Sequence, residues 1–173
     1  MLKALADHLR QIAETSDDRF RESVSKRLNG KATEEQISAL KEFIFLLPVT
    51  LKQLGSYWND KNTPLKAKRL SGLIISYIYQ PDDFLPENNN GLFAYADDAY
   101  VAVSAFLRIQ DLYLRDWQDK SEEEINLEKR ARKLMIAPKI VIPNEVNRIE
   151  SMLDSYMNGE IESFEQFLQL KRN

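Results

Sequence analysis

The chain has 173 residues, 24 of them basic and 27 acidic, for a formal net charge of -3; 43% are hydrophobic and 29% charged. That is the composition of an ordinary globular domain, and at this length folding buries roughly 70% of the surface the unfolded chain exposes. With no cysteine and one histidine, disulfide frameworks, thiolate metal sites, cysteine nucleophiles and any site needing two imidazoles from one chain are excluded. The near balance of charge gives no general pull toward nucleic acid or anionic lipid.

The first eight residues carry an acid and a histidine among their apolar side chains, which breaks up any secretory-signal core. The longest apolar stretches, residues 43–47, 73–79 and 99–107, fall well short of the roughly 20 residues a spanning helix needs. The expectation is a soluble, cytoplasmic protein with no membrane span. Five glycines and six prolines punctuate the chain, and leucine outnumbers valine, which favours helix over strand.

Leu2, Leu5, Leu9 and Ile12 recur at helical spacing, residues 15–18 form a cap-like interruption, and Phe20, Val24 and Leu28 continue the pattern up to Asn29-Gly30, a helix stop. Thr33-Glu34-Glu35-Gln36 is a capping box opening a helix through Ile37, Leu40, Phe43, Ile44 and Leu47. Pro48 should kink or end it, with Leu51, Leu54 and Trp58 resuming the spacing. Thr63 and Pro64 announce the next helix, with the proline as its first helical residue, running to about Gln80. Residues 81–91 read as a loop. A long helix follows, with Ala102, Phe106, Ile109, Tyr113 and Trp117 on one stripe. Ser121-Glu122-Glu123-Glu124 is a second capping box. Pro138 and Pro143 bracket Ile140-Val141-Ile142, which reads as a short extended segment. Pro143 or Asn144 opens a helix through Val146, Ile149, Met152, Leu153 and Tyr156 that stops at Asn158-Gly159. Ile161, Phe164, Phe167, Leu168 and Leu170 suggest a last amphipathic turn or two. The pattern predicts an all-α single domain over 1–173: six to eight helices in a bundle around a central helical hairpin at 65–107, with a C-terminal helical extension over 122–173.

The unusual segment is Tyr79-Gln80-Pro81-Asp82-Asp83-Phe84-Leu85-Pro86-Glu87, followed by Ala94-Tyr95-Ala96-Asp97-Asp98. It sets acid pairs on either side of a proline-framed bend between two helices. The prolines stop the first helix. Asp82 or Asp83 can cap the turn that follows, and acids at the start of the next helix meet its positive end. On a helical wheel Asp98 shares the face of Ala94, Tyr95, Val101, Ala102 and Ala105, whereas Asp97 shares a mixed face with Phe93, Ser104 and Arg108. Asp98 is therefore expected against the core, with turn amides, Arg69, Lys66 or the hydroxyls of Tyr77 or Tyr79 as partners.

Two chemistries fit these residues. One is a structural latch made by Pro81, Asp82, Asp83, Pro86, Glu87, Tyr95, Asp97 and Asp98, satisfied by its own backbone. The other is a hard-cation site for magnesium, calcium or manganese, with Asp83, Asp97 and Asp98 as the foremost oxygen ligands. Capping and helix polarity already explain the acids, so the latch is the expectation, with no cofactor and no catalytic residue assigned.

The same segment resembles the YkvA-like domain, a bacterial helical domain of unknown function. Its hallmark is a helix ending in Pro-x-Asp-x-x-Pro-Asp/Glu, then a turn, then Gly-Tyr-x-Asp-Asp opening a second helix. Pro81, Asp83, Pro86 and Glu87 fall on the first half; Tyr95, Asp97 and Asp98 fall on the second. Ala94 stands where the glycine is usual, and residues 88–91 lengthen the loop. The similarity covers 65–107, about a quarter of the chain. It implies a helical hairpin and no established activity; many members are membrane-associated, and the apolar segments here are too short to follow them. Tyr95-Ala96-Asp97-Asp98 also echoes the Tyr-x-Asp-Asp of reverse transcriptases, a motif that needs a β-hairpin and a far larger polymerase body.

The remaining signals are weaker. His8, beside Asp7 and Arg10, reads as a surface histidine. Lys66-Ala67-Lys68-Arg69 is a basic cluster at a helix start, read as a solvated face or a partner for the acid loop, with a phosphate contact as the alternative. The basic run at 128–133 follows three acids and reads as a zwitterionic helix with four-residue pairs. No serine sits in a nucleophile elbow and no glycine loop cradles phosphate. The expected function is a non-enzymatic interaction or regulatory protein with a protein partner or self-association. The alternatives are a divalent-cation-dependent enzyme acting through Asp82, Asp83, Asp97 and Asp98, and, more remotely, a nucleic-acid-associated protein.

Overall fold

The computed structural model describes residues 2–79, 91–115, 120–160 and 165–166. Among them the helices are α1 (Leu2–Thr15), α2 (Asp17–Arg27), α3 (Glu34–Ile44), α4 (Leu47–Asn59), α5 (Leu65–Ile78), α6 (Ala96–Leu112), α7 (Glu122–Leu134), α8 (Ile136–Val141) and α9 (Pro143–Met157), with a 3-10 turn at Gly91–Tyr95 leading into α6. Eight of these helices have eleven residues or more, α8 is a short one, and no described residue is in a strand. The all-α class and the bundle expectation both hold.

The sequence punctuation acts where it stands. Ser16 alone separates α1 from α2. Past α2 the chain reverses through Asn29 and Gly30, both left-handed at φ 52° and 76°. Thr33 closes its capping box in both directions: its hydroxyl accepts from the Gln36 amide at 3.2 Å, and the Gln36 side chain accepts from the Thr33 amide at 2.9 Å. Ser121 accepts from the Glu124 amide at 3.1 Å and opens α7. After α9 the backbone turns left-handed at Gly159, φ 76°, and the Glu160 amide reaches back to the Ser155 carbonyl at 2.9 Å.

Three boundaries differ from the sequence reading. Pro64 stands one residue before α5, at its cap, rather than inside its first turn. Ile140 and Val141 belong to helix α8, so no extended segment forms there. Pro138 and Pro143 each sit in the first turn of a helix, where a missing N–H costs no intrahelical bond. Pro143 thus opens α9 as expected, while Pro138 stands in the first turn of α8 and not at the edge of an extended segment. Trp58 lies on α4 as expected but is 53% exposed, off the stripe that buries Leu51 and Leu54.

The centre of the molecule is α6. Every residue from Ala96 to Leu107 is buried, and α3, α4, α5, α7, α8 and α9 all pack against it. One hydrophobic core runs from Leu9 in α1 to Leu153 in α9. No described helix is long and apolar enough to cross a membrane.

Candidate functional site

Asp97 and Asp98 occupy the first turn of α6. Asp98 is buried as expected, at 4% exposure, but Asp97 is buried more completely, at 0%. The mixed face of Asp97 is thus a covered face: α6 is enclosed on all sides, so the helical wheel could not separate an inner acid from an outer one. Tyr95 ends the 3-10 turn, half-buried, and its ring meets the ring of His8 edge-on at 6.2 Å between centroids. His8 is exposed, and it touches the motif from α1. Pro81, Asp82, Asp83, Pro86 and Glu87 lie outside the described residues, as does Trp117. Among the described residues no three acidic or imidazole side chains come together as a metal group.

Two further polar clusters hold α6 to its neighbours, and the sequence reading missed both. In the first, the buried Glu124 of α7 accepts hydrogen bonds from the Tyr57 hydroxyl of α4 and from the Gln110 amide of α6, the latter at 2.8 Å; Gln110 also donates to Tyr57. Burial and the adjacent Glu124 carboxylate push the Tyr57 phenol well above its ordinary range, so it stays a neutral donor. In the second, Arg108 of α6 donates to Glu150 at 2.6 Å and to Asp154 at 2.7 Å, both on α9, and to Ser104. Tyr100 and Ser104 add hydrogen bonds to Glu150 at 2.5 and 3.0 Å. Burial works against charge on Glu150, yet the hydrogen bonds from Arg108 and Tyr100 hold its carboxyl below the ordinary value. The four-residue steps Ser104 to Arg108 and Glu150 to Asp154 were visible as sequence spacings. What could not be seen was that these two turns face each other.

An open groove of about 1070 Å³ lies where the end of α4, one face of α5, the end of α6 and the C-terminus of α9 meet. Trp58, Lys66, Arg69, Gly72, Tyr113 and Tyr156 define its chemistry. Lys66, Arg69, Gly72 and Ser76 form one stripe of α5 at steps of three and four. Lys66 and Arg69 are exposed, and neither forms an ion pair with a described residue. Burial raises the Tyr156 phenol against the pull of Arg69, with Tyr113 adding to the rise, which places these three side chains within electrostatic reach of one another. Among the described residues no carboxylate or imidazole lines the groove. The basic cluster, read from sequence as a solvated face or a partner for the acid loop, supplies the exposed Lys66 and Arg69 to the groove lining, and the tyrosines of that lining come from up to 90 residues away (Lys66 to Tyr156), which no local pattern reveals. The chain matches no family model, no curated protein and no solved structure.

Proposed function

We propose that the chain is a non-enzymatic regulatory or interaction protein of the YkvA-like kind, which works by binding an organic anion in the α5 groove. One observation carries the reading: among the described residues the groove offers two cations and several hydroxyl groups and no acid or imidazole to repel an anion. Such a lining binds and orients. Among the described residues it holds neither histidine nor a carboxylate, the side chains that most often serve as general bases. The two polar clusters support the same reading, because their titratable groups tie α6 to α4, α7 and α9. The YkvA-like resemblance is supported by a helix that starts at the Tyr95-Ala96-Asp97-Asp98 motif and buries both acids.

The test is calorimetric titration of a panel of simple organic carboxylates and sulfonates into the wild type and a Lys66→Glu/Arg69→Glu double variant. At least one should bind saturably and be recovered unchanged. The double variant should bind it about tenfold or more weakly, the scale of losing a hydrogen bond to a charged group. No binding by any member, or equal binding by the variant, removes the reading.

A further inference from the structure

Gly72 is the anomaly in the groove wall. It sits inside α5 with an ordinary helical backbone, where glycine is intrinsically less favourable than alanine. Its value is spatial. A β-carbon at this position would stand 2.6 Å from Cε3 of Trp58, closer than real side chains approach. The missing side chain lets the six-membered ring of the indole rest directly on the α5 backbone. Yet Trp58 contributes little to the core, being 53% exposed. The chain thus accepts a poor helix former to hold a large aromatic ring half in solvent, one helical turn from Arg69.

We propose, building on the anion-binding reading above, that the ligand is a planar aromatic ring carrying an anionic group. The ring stacks on the Trp58 indole seated over Gly72, and the anion meets Arg69 and Lys66 on the same stripe of α5. Tyr113 and Tyr156 also line the groove and add aromatic surface for the ring. Charge selects the ligand's head and the indole selects its body, so each half is separately testable.

Three probes divide the contributions: naphthalene-2-sulfonate is planar and anionic, cyclohexanesulfonate is anionic without a planar ring, and 2-naphthol is planar without the charge. Naphthalene-2-sulfonate should bind about tenfold more tightly than either of the others, the upper range for one aromatic pair or one charged contact. Gly72→Ala should displace the indole and bring naphthalene-2-sulfonate down to the level of cyclohexanesulfonate, while the melting temperature stays level or rises. Trp58→Ala, a change at a half-exposed residue, should do the same. Cyclohexanesulfonate binding as tightly as the naphthalene compound, and losing affinity in Arg69→Glu, would overturn the ring and leave the anion site standing. Undiminished binding of every probe by Arg69→Glu would overturn both. Unchanged naphthalene-2-sulfonate affinity in Gly72→Ala and Trp58→Ala also rejects the stacking role.

Discussion

The two polar clusters on α6, one buried around Glu124 and one half-buried around Glu150, solve one problem in opposite ways. Glu150 faces a guanidinium: Arg108 bridges it to Asp154, and the cluster joins α6 to α9 by charge. Glu124 faces neutral donors, Tyr57 and Gln110, and joins α6 to α4 and α7 by hydrogen bonds. A buried ion pair is costly to break from one side, because the abandoned charge stays behind. A neutral network is costly only when a donor or acceptor is orphaned. The α9 side of α6 should therefore be brittle and pH-sensitive, and the α4/α7 side tolerant of neutral replacements.

Arg108→Met should give the largest effect, a loss of about 2–4 kcal/mol in urea melts, reduced from the full buried-pair range because Asp154 is well exposed. The acid limb should change with it. The Glu150 carboxyl is depressed in the folded state, so its contribution is present above the unfolded value of about 4.5 and lost as pH falls through the folded one. Stability of Arg108→Met should fall less steeply than wild type over that window. An unchanged acid limb would show that Glu150 is not held by Arg108. Next in size, Asp97→Ala and Asp98→Ala should each cost about 1–3 kcal/mol, the range for orphaning buried partners, and the two should be alike. Guanidinium melts that leave Asp97→Ala near wild type would return Asp97 to a solvent-facing role. Glu124→Gln should stay within about 1 kcal/mol of wild type, since the amide keeps an acceptor for Tyr57 and Gln110; a loss as large as that of Arg108→Met would erase the contrast between the clusters. The smallest expectation is no effect at all. Chelator-dialysed protein should melt alike with and without millimolar magnesium, calcium or manganese. A true native-state site would add about 2.7 kcal/mol at a hundredfold excess over its Kd, and such a shift, abolished by Asp98→Asn, would favour the cation reading of the acid motif.

Helix starts and stops were the most legible features. Thr33, Ser121, Asn29-Gly30 and Asn158-Gly159 act through neighbours within four or five residues, so local sequence carries the whole interaction. Pro138 and Pro143 were legible as punctuation but ambiguous in kind, because proline suits a first helical turn as well as the edge of a strand. Asp98 was found by its apolar face; Asp97 was misjudged because a wheel assumes one side in water, and α6 has none there. The groove escaped entirely. Its walls pair the basic cluster after Pro64 with Tyr113 and Tyr156, an adjacency made by packing and not by spacing. The role of Gly72 rests on the Trp58 indole against it, a contact between α4 and α5 that local sequence does not carry.

The enclosure of α6 has a consequence for taking the molecule apart. A helix covered on every side has no wet face to retain when its neighbours are removed. The hairpin 65–107 carries the recognisable motif, yet α6 within it is roofed by helices from both ends of the chain, α3 and α4 before it and α7, α8 and α9 after it. Excised, that segment would show water Tyr100, Val103 and Phe106, along with a serine whose partner, Glu150, lies on α9. The motif is a landmark in the sequence and not a separable part. Whatever binds the α5 groove binds a body whose central helix is covered by segments from both sides of it in the chain.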